Sequence, residues 1–320
     1  MNMANESDKD APFVGELVDR EKRHLNYLRI SITDRCNLRC LYCAPEGRIP
    51  KLSHEDILSY EEILRLVRIG IRLGIRKIRI TGGEPLVRKG AVDLLRRLVA
   101  LRELEDVSLT TNGVLLASKA QEIYDAGVRR INVSLDSLVA EKFAQITGYK
   151  RFEQVWAGIE RAREIGFSPI KINVVAMRGI NDDEILDFGR LSIDHPFHIR
   201  FIEYMPIGNS RTRSRDQILT PEIQEKISIL GNLTPVENHC HDGPARRYRL
   251  AGALGEIGFI SALSQHFCSR CNRLRLTADG KLRACLLSDR HEPLKELLRG
   301  GASDEALAEL FRIAVRQKAA

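Results

Sequence analysis

Six short segments of the chain read as strands: Tyr27–Ile32, Ile75–Thr81, Val107–Thr111, Arg129–Leu135, Ile170–Ala176 and Phe197–Glu203. Helical spacing of apolar residues falls between most of them. Ser59–Leu73 is one such stretch, with Ser59 as its N-cap, and Phe152–Ile165 and Asp182–Leu191 are others. Strand and helix alternating this often predict an α/β fold with a parallel sheet.

The strands also alternate within themselves. Leu28, Ile30 and Ile32 oppose Arg29, Ser31 and Thr33, and Ile78 and Ile80 oppose Lys77, Arg79 and Thr81. Val107 and Leu109 oppose Ser108 and Thr110. Ile131, Val133 and Leu135 oppose Asn132, Ser134 and Asp136. Ile170, Ile172 and Val174 oppose Lys171 and Asn173. Parallel strands covered on both faces are apolar on both, and a complete eight-stranded barrel fills its interior with branched apolar side chains. Here one face suits helices while the other is polar and basic. A wide or incomplete barrel around an anionic ligand accounts for this. A one-sided antiparallel sheet is the plainer alternative, and the helical spacers speak against it.

Past residue 205 the pattern changes. Gly208–Asp216 and Asn232–Pro244 read as loops, Gly255–Leu287 as short strands around cysteines, and Asp304–Gln317 as a helix started by Ser303. The expected division is an N-terminal extension over 1–22, a partial barrel over 23–235 and a C-terminal region over 236–320. No repeat or low-complexity segment is present.

Composition narrows the classes. At 320 residues, 43% hydrophobic and 29% charged, the chain is an ordinary globular protein and neither disordered, collagenous nor coiled-coil. No uncharged apolar run approaches the ~20 residues of a membrane helix, and the polar Met1–Asp10 has no signal core. A cytoplasmic protein without membrane attachment is expected. The net charge of +7 fits an anionic ligand without requiring nucleic acid.

Seven cysteines, an odd number, point to metal or redox chemistry over disulfides. Cys36, Cys40 and Cys43 form CxxxCxxC directly after the first strand, on the side where α/β barrels gather their active sites. At a cysteine frequency of about 0.022, this spacing arises by chance roughly 0.003 times per chain. Three thiolates fall one short of a closed zinc site and suit a [4Fe-4S] cluster with one iron open. Zinc with a distant fourth ligand such as His24 is the alternative. Cys268 and Cys271 form CxxC, and Cys285 follows after thirteen intervening residues. By spacing alone this second triad suits zinc, completed by His266, His239 or Cys240, as well as iron–sulfur; the first triad tips the balance to iron–sulfur. Arg273 and Arg275 follow it at i, i+2 spacing, so on a strand they share a face and could meet one ligand.

The CxxxCxxC motif, Tyr42 before its third cysteine, and Thr81-Gly82-Gly83-Glu84-Pro85 at the end of the second strand resemble the radical S-adenosylmethionine (SAM) superfamily. The segments LRISITDRCNLRCLYC, IRITGGEPLVRKG, LTTNG, RRINVSLDSL, KINVV, IRFIEYMP, DGPARRY and GEIGFISALSQHFCSRCNRLRLTADGKLRACL follow in order and are similar to the GTP 3′,8-cyclase family, over about Leu25–Asp304. The resemblance implies an incomplete (β/α)6 TIM-type barrel with a C-terminal region closing it and holding a second iron–sulfur cluster. It implies two [4Fe-4S] clusters, SAM as cofactor and GTP as substrate. The product would be (8S)-3′,8-cyclo-7,8-dihydroguanosine 5′-triphosphate, the first intermediate of molybdenum cofactor biosynthesis.

Carried over residue by residue, the resemblance places Cys36, Cys40 and Cys43 on the SAM cluster and Cys268, Cys271 and Cys285 on the substrate cluster. Tyr42, Gly83, Glu84, Ser134 and Met205 would meet SAM, with Glu84 toward its ammonium. Arg29, Arg79, Thr110, Lys171, Arg273, Leu274 and Arg275 would meet GTP, with Arg29, Arg273 and Arg275 as catalytic residues. Implied partners are an electron donor, a downstream cyclic pyranopterin monophosphate synthase and a second copy of the chain. Family chains end in a Gly-Gly tail that serves radical initiation, whereas this one ends Gln317-Lys318-Ala319-Ala320, and Gly300-Gly301 lies before the last helix. The expectation is that clusters and ligands bind without the tail and that full turnover depends on it. The alternatives are a divergent or truncated radical SAM paralogue with another substrate, and a metal-containing nucleic-acid-binding protein. The latter rests on the net charge and Arg211–Arg215, but aromatics at 6% offer no stacking platform.

Overall fold

The computed structural model describes residues 15–43, 51–205, 216–237 and 243–318. Met1–Asp10, the Arg211–Arg215 run, His239, Cys240 and Ala319-Ala320 lie outside them.

The six expected strands form, with no end displaced by more than two residues: β1 (Tyr27–Ser31), β2 (Lys77–Thr81), β3 (Asp106–Thr111), β4 (Ile131–Ser134), β5 (Ile170–Ala176) and β6 (Phe197–Glu203). They pair in parallel, each with the next. Between them run α1 (Tyr60–Arg72), α2 (Ala91–Val99), α3 (Leu116–Asp125), α4 (Ala140–Thr147), α5 (Phe152–Ile165) and α6 (Ile185–Asp194). Helix α1 starts where expected because Ser59 and Glu62 form a reciprocal capping box: the Ser59 hydroxyl accepts from Glu62 N at 3.1 Å, and the Glu62 carboxylate accepts from Ser59 N at 2.6 Å. Helix α6 starts three residues later than expected. Asp182 is spent on a turn, where its carboxylate accepts from Gly179 N at 2.7 Å.

The apolar strand face packs on the helices. Leu28, Ile30, Ile78, Ile80, Ile131, Val133 and Ile172 are fully buried and join one core cluster with the inner faces of the helices. Each such side chain contributes about 1.5–3 kcal/mol by leaving water.

The rest of the chain is α7 (Thr220–Ser228), β7 (Thr234–Val236), β8 (Arg246–Arg249), β9 (Glu256–Ile260), β10 (Arg273–Leu276), β11 (Lys281–Arg283), β12 (Glu292–Pro293), α8 (Leu294–Arg299) and α9 (Asp304–Arg316). Strand β7 occupies part of the segment expected to be loop, and the expected division at 235/236 falls inside it. The 12-stranded sheet runs β12-β11-β10-β1-β2-β3-β4-β5-β6-β9-β8-β7. Strand β10 adds in parallel to β1, and β9 adds in parallel to β6. The C-terminal region therefore lengthens both edges of the sheet instead of joining them; among the described residues β7 and β12, at its two ends, are not paired with each other. Helix α9 is capped by the Ser303 hydroxyl accepting from Ala306 N, and its Asp304 pairs with Arg65 and Arg72 of α1. Among the described residues no helix is long and apolar enough to cross a membrane.

Candidate active site

The polar strand face encloses a cavity of 1120 Å³. Both cysteine triads open on it: Cys36, Cys40 and Cys43 from the loop after β1, and Cys268, Cys271 and Cys285 from the segments flanking β10 and β11. All six thiols are free. Tyr42, Gly83, Ser134, Met205, Arg29, Arg79, Thr110, Arg273 and Arg275 line the same cavity, as expected from sequence. His24 does not. Its Nδ1 sits 2.5 Å from Glu16 at the exposed surface, which removes it as a fourth metal ligand.

On the first triad's side, burial pushes the thiols of Cys40 and Cys43 up, Cys43 to about 11, and the nearby Asp136 carboxylate adds to this. Burial also raises Asp136 itself, to about 6, although it accepts from the Tyr42 hydroxyl at 2.6 Å and from Val175 N at 2.8 Å. Thiolates here need a positive partner such as iron. Donors are already aimed at one sulfur: Leu38 N lies 3.4 Å and Asn112 Nδ2 3.7 Å from Cys36 Sγ.

The turn after β2 shapes this end. A Cβ on Gly83 would meet the Arg35 carbonyl oxygen at 2.4 Å, and one on Gly82 the Thr33 oxygen at 2.8 Å. Only glycine lets the turn nest on the loop that carries Cys36. Glu84, expected to meet a ligand ammonium, does not line the cavity. It is fully buried and absent from the cavity wall, because its carboxylate is taken up by Leu86 N (3.0 Å), Thr111 Oγ1 (2.8 Å) and Asn112 N (2.6 Å). It organises the turn from behind.

The floor is basic. Arg29 stands in register with Arg79 on β2 and Arg275 on β10, and Tyr27, one layer down, with Lys77 and Arg273. Lys77 pairs with Asp106 at 3.3 Å. Among the described residues, Arg29, Arg79, Arg273 and Arg275 have no carboxylate partner; Arg79 donates to Ser108 Oγ at 3.2 Å. Burial, then the neighbouring arginines, brings Arg29 down to about 10 and Arg275 to about 9. For Tyr27, burial works to raise the phenol, but Arg79, Arg29, Lys77 and Arg273 together outweigh it and lower it. The Tyr27 hydroxyl and Arg29 Nε are buried without a hydrogen-bond partner among the described residues. Four uncompensated guanidinium groups and two unpaired donors fit a polyanion such as a triphosphate.

Two further expected site residues do not line the cavity. Lys171 is buried one layer below the cavity, in the row of Asn132 and His198, and Asn173 of the same strand takes the lining position. Leu274 is fully buried in the core, since β10 turns Arg273 and Arg275 inward and Leu274 and Leu276 outward. The cavity also contains Asn112, Asp136 and Arg200, which were not singled out. Period-two alternation carries the signal for the last two: Asp136 continues the Asn132 and Ser134 face, and Arg200 lies two past His198.

The second triad sits in a different field. Burial opposes ionisation of Cys271, but Arg273 and Lys318 overcome it and bring the thiol down to about 7. Leu287 N lies 3.4 Å from Cys285 Sγ. Among the described residues no three His, Cys, Asp or Glu side chains form a ready single-ion site; the sulfurs surround open cavity. Three thiols per triad, each with space before it, are a donor set that fits [4Fe-4S] clusters with one open iron.

Comparison with known proteins agrees with this arrangement. Residues 30–191 match the radical SAM superfamily, and residues 197–320 match the family described as Molybdenum Cofactor Synthesis C. The GTP 3′,8-cyclase of Heliobacterium modesticaldum is 50% identical over 307 residues, covering 94% of this chain and 93% of its own. Those of Moorella thermoacetica and Thermodesulfovibrio yellowstonii are 50% and 52% identical, over 94% and 91% of each chain. Among solved structures, Streptococcus suis SuiB bound to S-adenosylmethionine shares the fold, with a TM-score of 0.60 at 16% identity over 89% of this chain and 67% of that one. The chain belongs to the GTP 3′,8-cyclase family of radical SAM enzymes.

Proposed function

We propose that this protein is a GTP 3′,8-cyclase, converting GTP and SAM to (8S)-3′,8-cyclo-7,8-dihydroguanosine 5′-triphosphate, 5′-deoxyadenosine and methionine. One observation carries the reading: two cysteine triads and four arginines, none with a carboxylate partner among the described residues, open on a single cavity. Cys36, Cys40 and Cys43 would hold a cluster, and with SAM bound beside it that cluster would supply the one-electron chemistry that opens the reaction at the ribose. Gly83, Ser134, Met205 and the Tyr42 hydroxyl, fixed by Asp136, line the SAM end. Arg29, Arg79, Arg273 and Arg275, with Thr110, hold and neutralise the triphosphate, which orients C3′ and guanine C8 toward each other. The C-terminal region brings Cys268, Cys271 and Cys285 over the cavity, where a second cluster would hold the purine. In this reading the enzyme is cytoplasmic, draws electrons from a separate donor, pairs with a second copy and passes its product to a pyranopterin-forming synthase.

The test is anaerobic. The reconstituted chain is given SAM, a reductant and GTP, and 5′-deoxyadenosine and the cyclised nucleotide are quantified. Both products forming only with GTP support the reading. Deoxyadenosine released at an unchanged rate while GTP stays intact sinks it and assigns another substrate.

A further inference from the structure

Behind the second triad stand two buried cations from opposite ends of the chain. Arg23, 7% exposed, donates through Nη1 to the Cys268 carbonyl and through Nε to Asp19 at 2.6 Å. Lys318, also 7% exposed, donates from Nζ to the carbonyls of Arg273 at 3.0 Å and Ala284 at 2.6 Å. Each accepting carbonyl belongs to a triad cysteine or lies within two residues of one. The three stretches that carry Cys268, Cys271 and Cys285 are thus each tied to one of two ammonium or guanidinium groups. The charges differ in effect. Arg23 is neutralised by Asp19, itself buried. Lys318 has no carboxylate partner among the described residues, and its charge faces Cys271 and Cys285. The first triad has the opposite neighbour, the Asp136 carboxylate.

We propose that Arg23 and Lys318 are positioning residues for the second cysteine triad, Arg23 fixing its geometry and Lys318 both fixing it and raising the reduction potential of the cluster it holds. The inference rests on the reading that this triad carries an iron–sulfur cluster. A positive charge held in a buried setting stabilises the more negative, reduced cluster. Backbone carbonyls hold that charge in place without cancelling it.

The experiment uses the full chain in a Cys36→Ala/Cys40→Ala/Cys43→Ala background, where only the second triad can load. Iron content, the rate of iron release to a chelator and an EPR-monitored redox titration are read, with far-UV circular dichroism as the folding check. Lys318→Met is expected to release iron several-fold faster. At a fixed potential its ratio of reduced to oxidised cluster falls about tenfold, a shift of about 59 mV for one electron. Lys318→Arg restores the potential. Asp19→Asn/Arg23→Met, which removes no net charge, speeds iron release and leaves the potential in place. Parent values in Lys318→Met for both readouts overturn the proposal, as does a Lys318→Arg variant with the potential of Lys318→Met. A background chain that takes up no iron overturns the cluster reading and the inference with it, and differs visibly from a loaded cluster indifferent to Lys318.

Discussion

Glu84→Gln tests whether a buried carboxylate builds the SAM end of the cavity from behind. The substitution keeps shape and volume. Oε1 can still accept from Leu86 N and Thr111 Oγ1, but the new amide nitrogen faces Asn112 N, which lies 2.6 Å from the present oxygen. One charge-assisted bond, worth about 1.5–3 kcal/mol, is lost, and a buried N–H is left against another donor at about 1–3 kcal/mol. Part of this is offset, because burying a neutral amide costs less than burying a carboxylate, and burial already raises the pKa of this one. The net loss is about 2–3 kcal/mol, roughly 30- to 150-fold in the stability constant of the turn. Asn112 also bonds the Asn37 side chain at 2.7 Å and reaches Cys36 Sγ, so the damage reaches the first triad. The assay has three parts: thermal unfolding of the metal-free chain, SAM affinity, and iron retention at the first triad. All three are expected to weaken together. Weakened SAM binding with unchanged thermal stability would refute the reasoning and return Glu84 to direct contact with the ligand.

Arg275→Met exchanges a crowded cation for an apolar side chain of similar length. The metal-free protein should gain about 1–3 kcal/mol in denaturant unfolding, while GTP binding by calorimetry should weaken 100-fold or more; unaltered GTP affinity would take Arg275 out of the site. Gly83→Ala forces a Cβ against the Arg35 carbonyl and should cost about 1–3 kcal/mol and most SAM binding; wild-type behaviour in both would show that the turn does not nest as described. Burial holds His198 neutral, with its pKa down at about 4, against the pull of Glu256. An unfolded histidine takes up its proton near pH 6.5 and the folded one does not, so stability falls as pH drops from about 6.5 toward 4. The loss between pH 7 and 5 should be on the order of 1–2 kcal/mol, and His198→Gln should flatten that part of the pH–stability curve; an identical slope in the variant would reject the assignment.

The six central strands, the caps Ser59 and Ser303, the two cysteine triads and the basic inner face are all readable from the chain. Each is a local signal: a period of two, a hydroxyl followed three residues on by a backbone donor, or a fixed spacing of thiols. Alternation assigns a side chain to a face and says nothing of its height along that face. Lys171 and Asn173 therefore look equivalent in sequence, and only the stagger of the strands puts one below the cavity and the other in its wall. Glu84 stands beside the glycines of a ligand-binding motif, yet three donors from β3 and its own turn take its carboxylate out of reach. Pairings between distant segments are the part that tertiary structure alone decided. Strand β10 joins β1, β9 joins β6, and Arg23 reaches Cys268, 245 positions away. Short-range patterns hold no term for such contacts, which form because the exposed edges of a six-stranded parallel sheet must find hydrogen-bond partners and the second triad must be held facing the first.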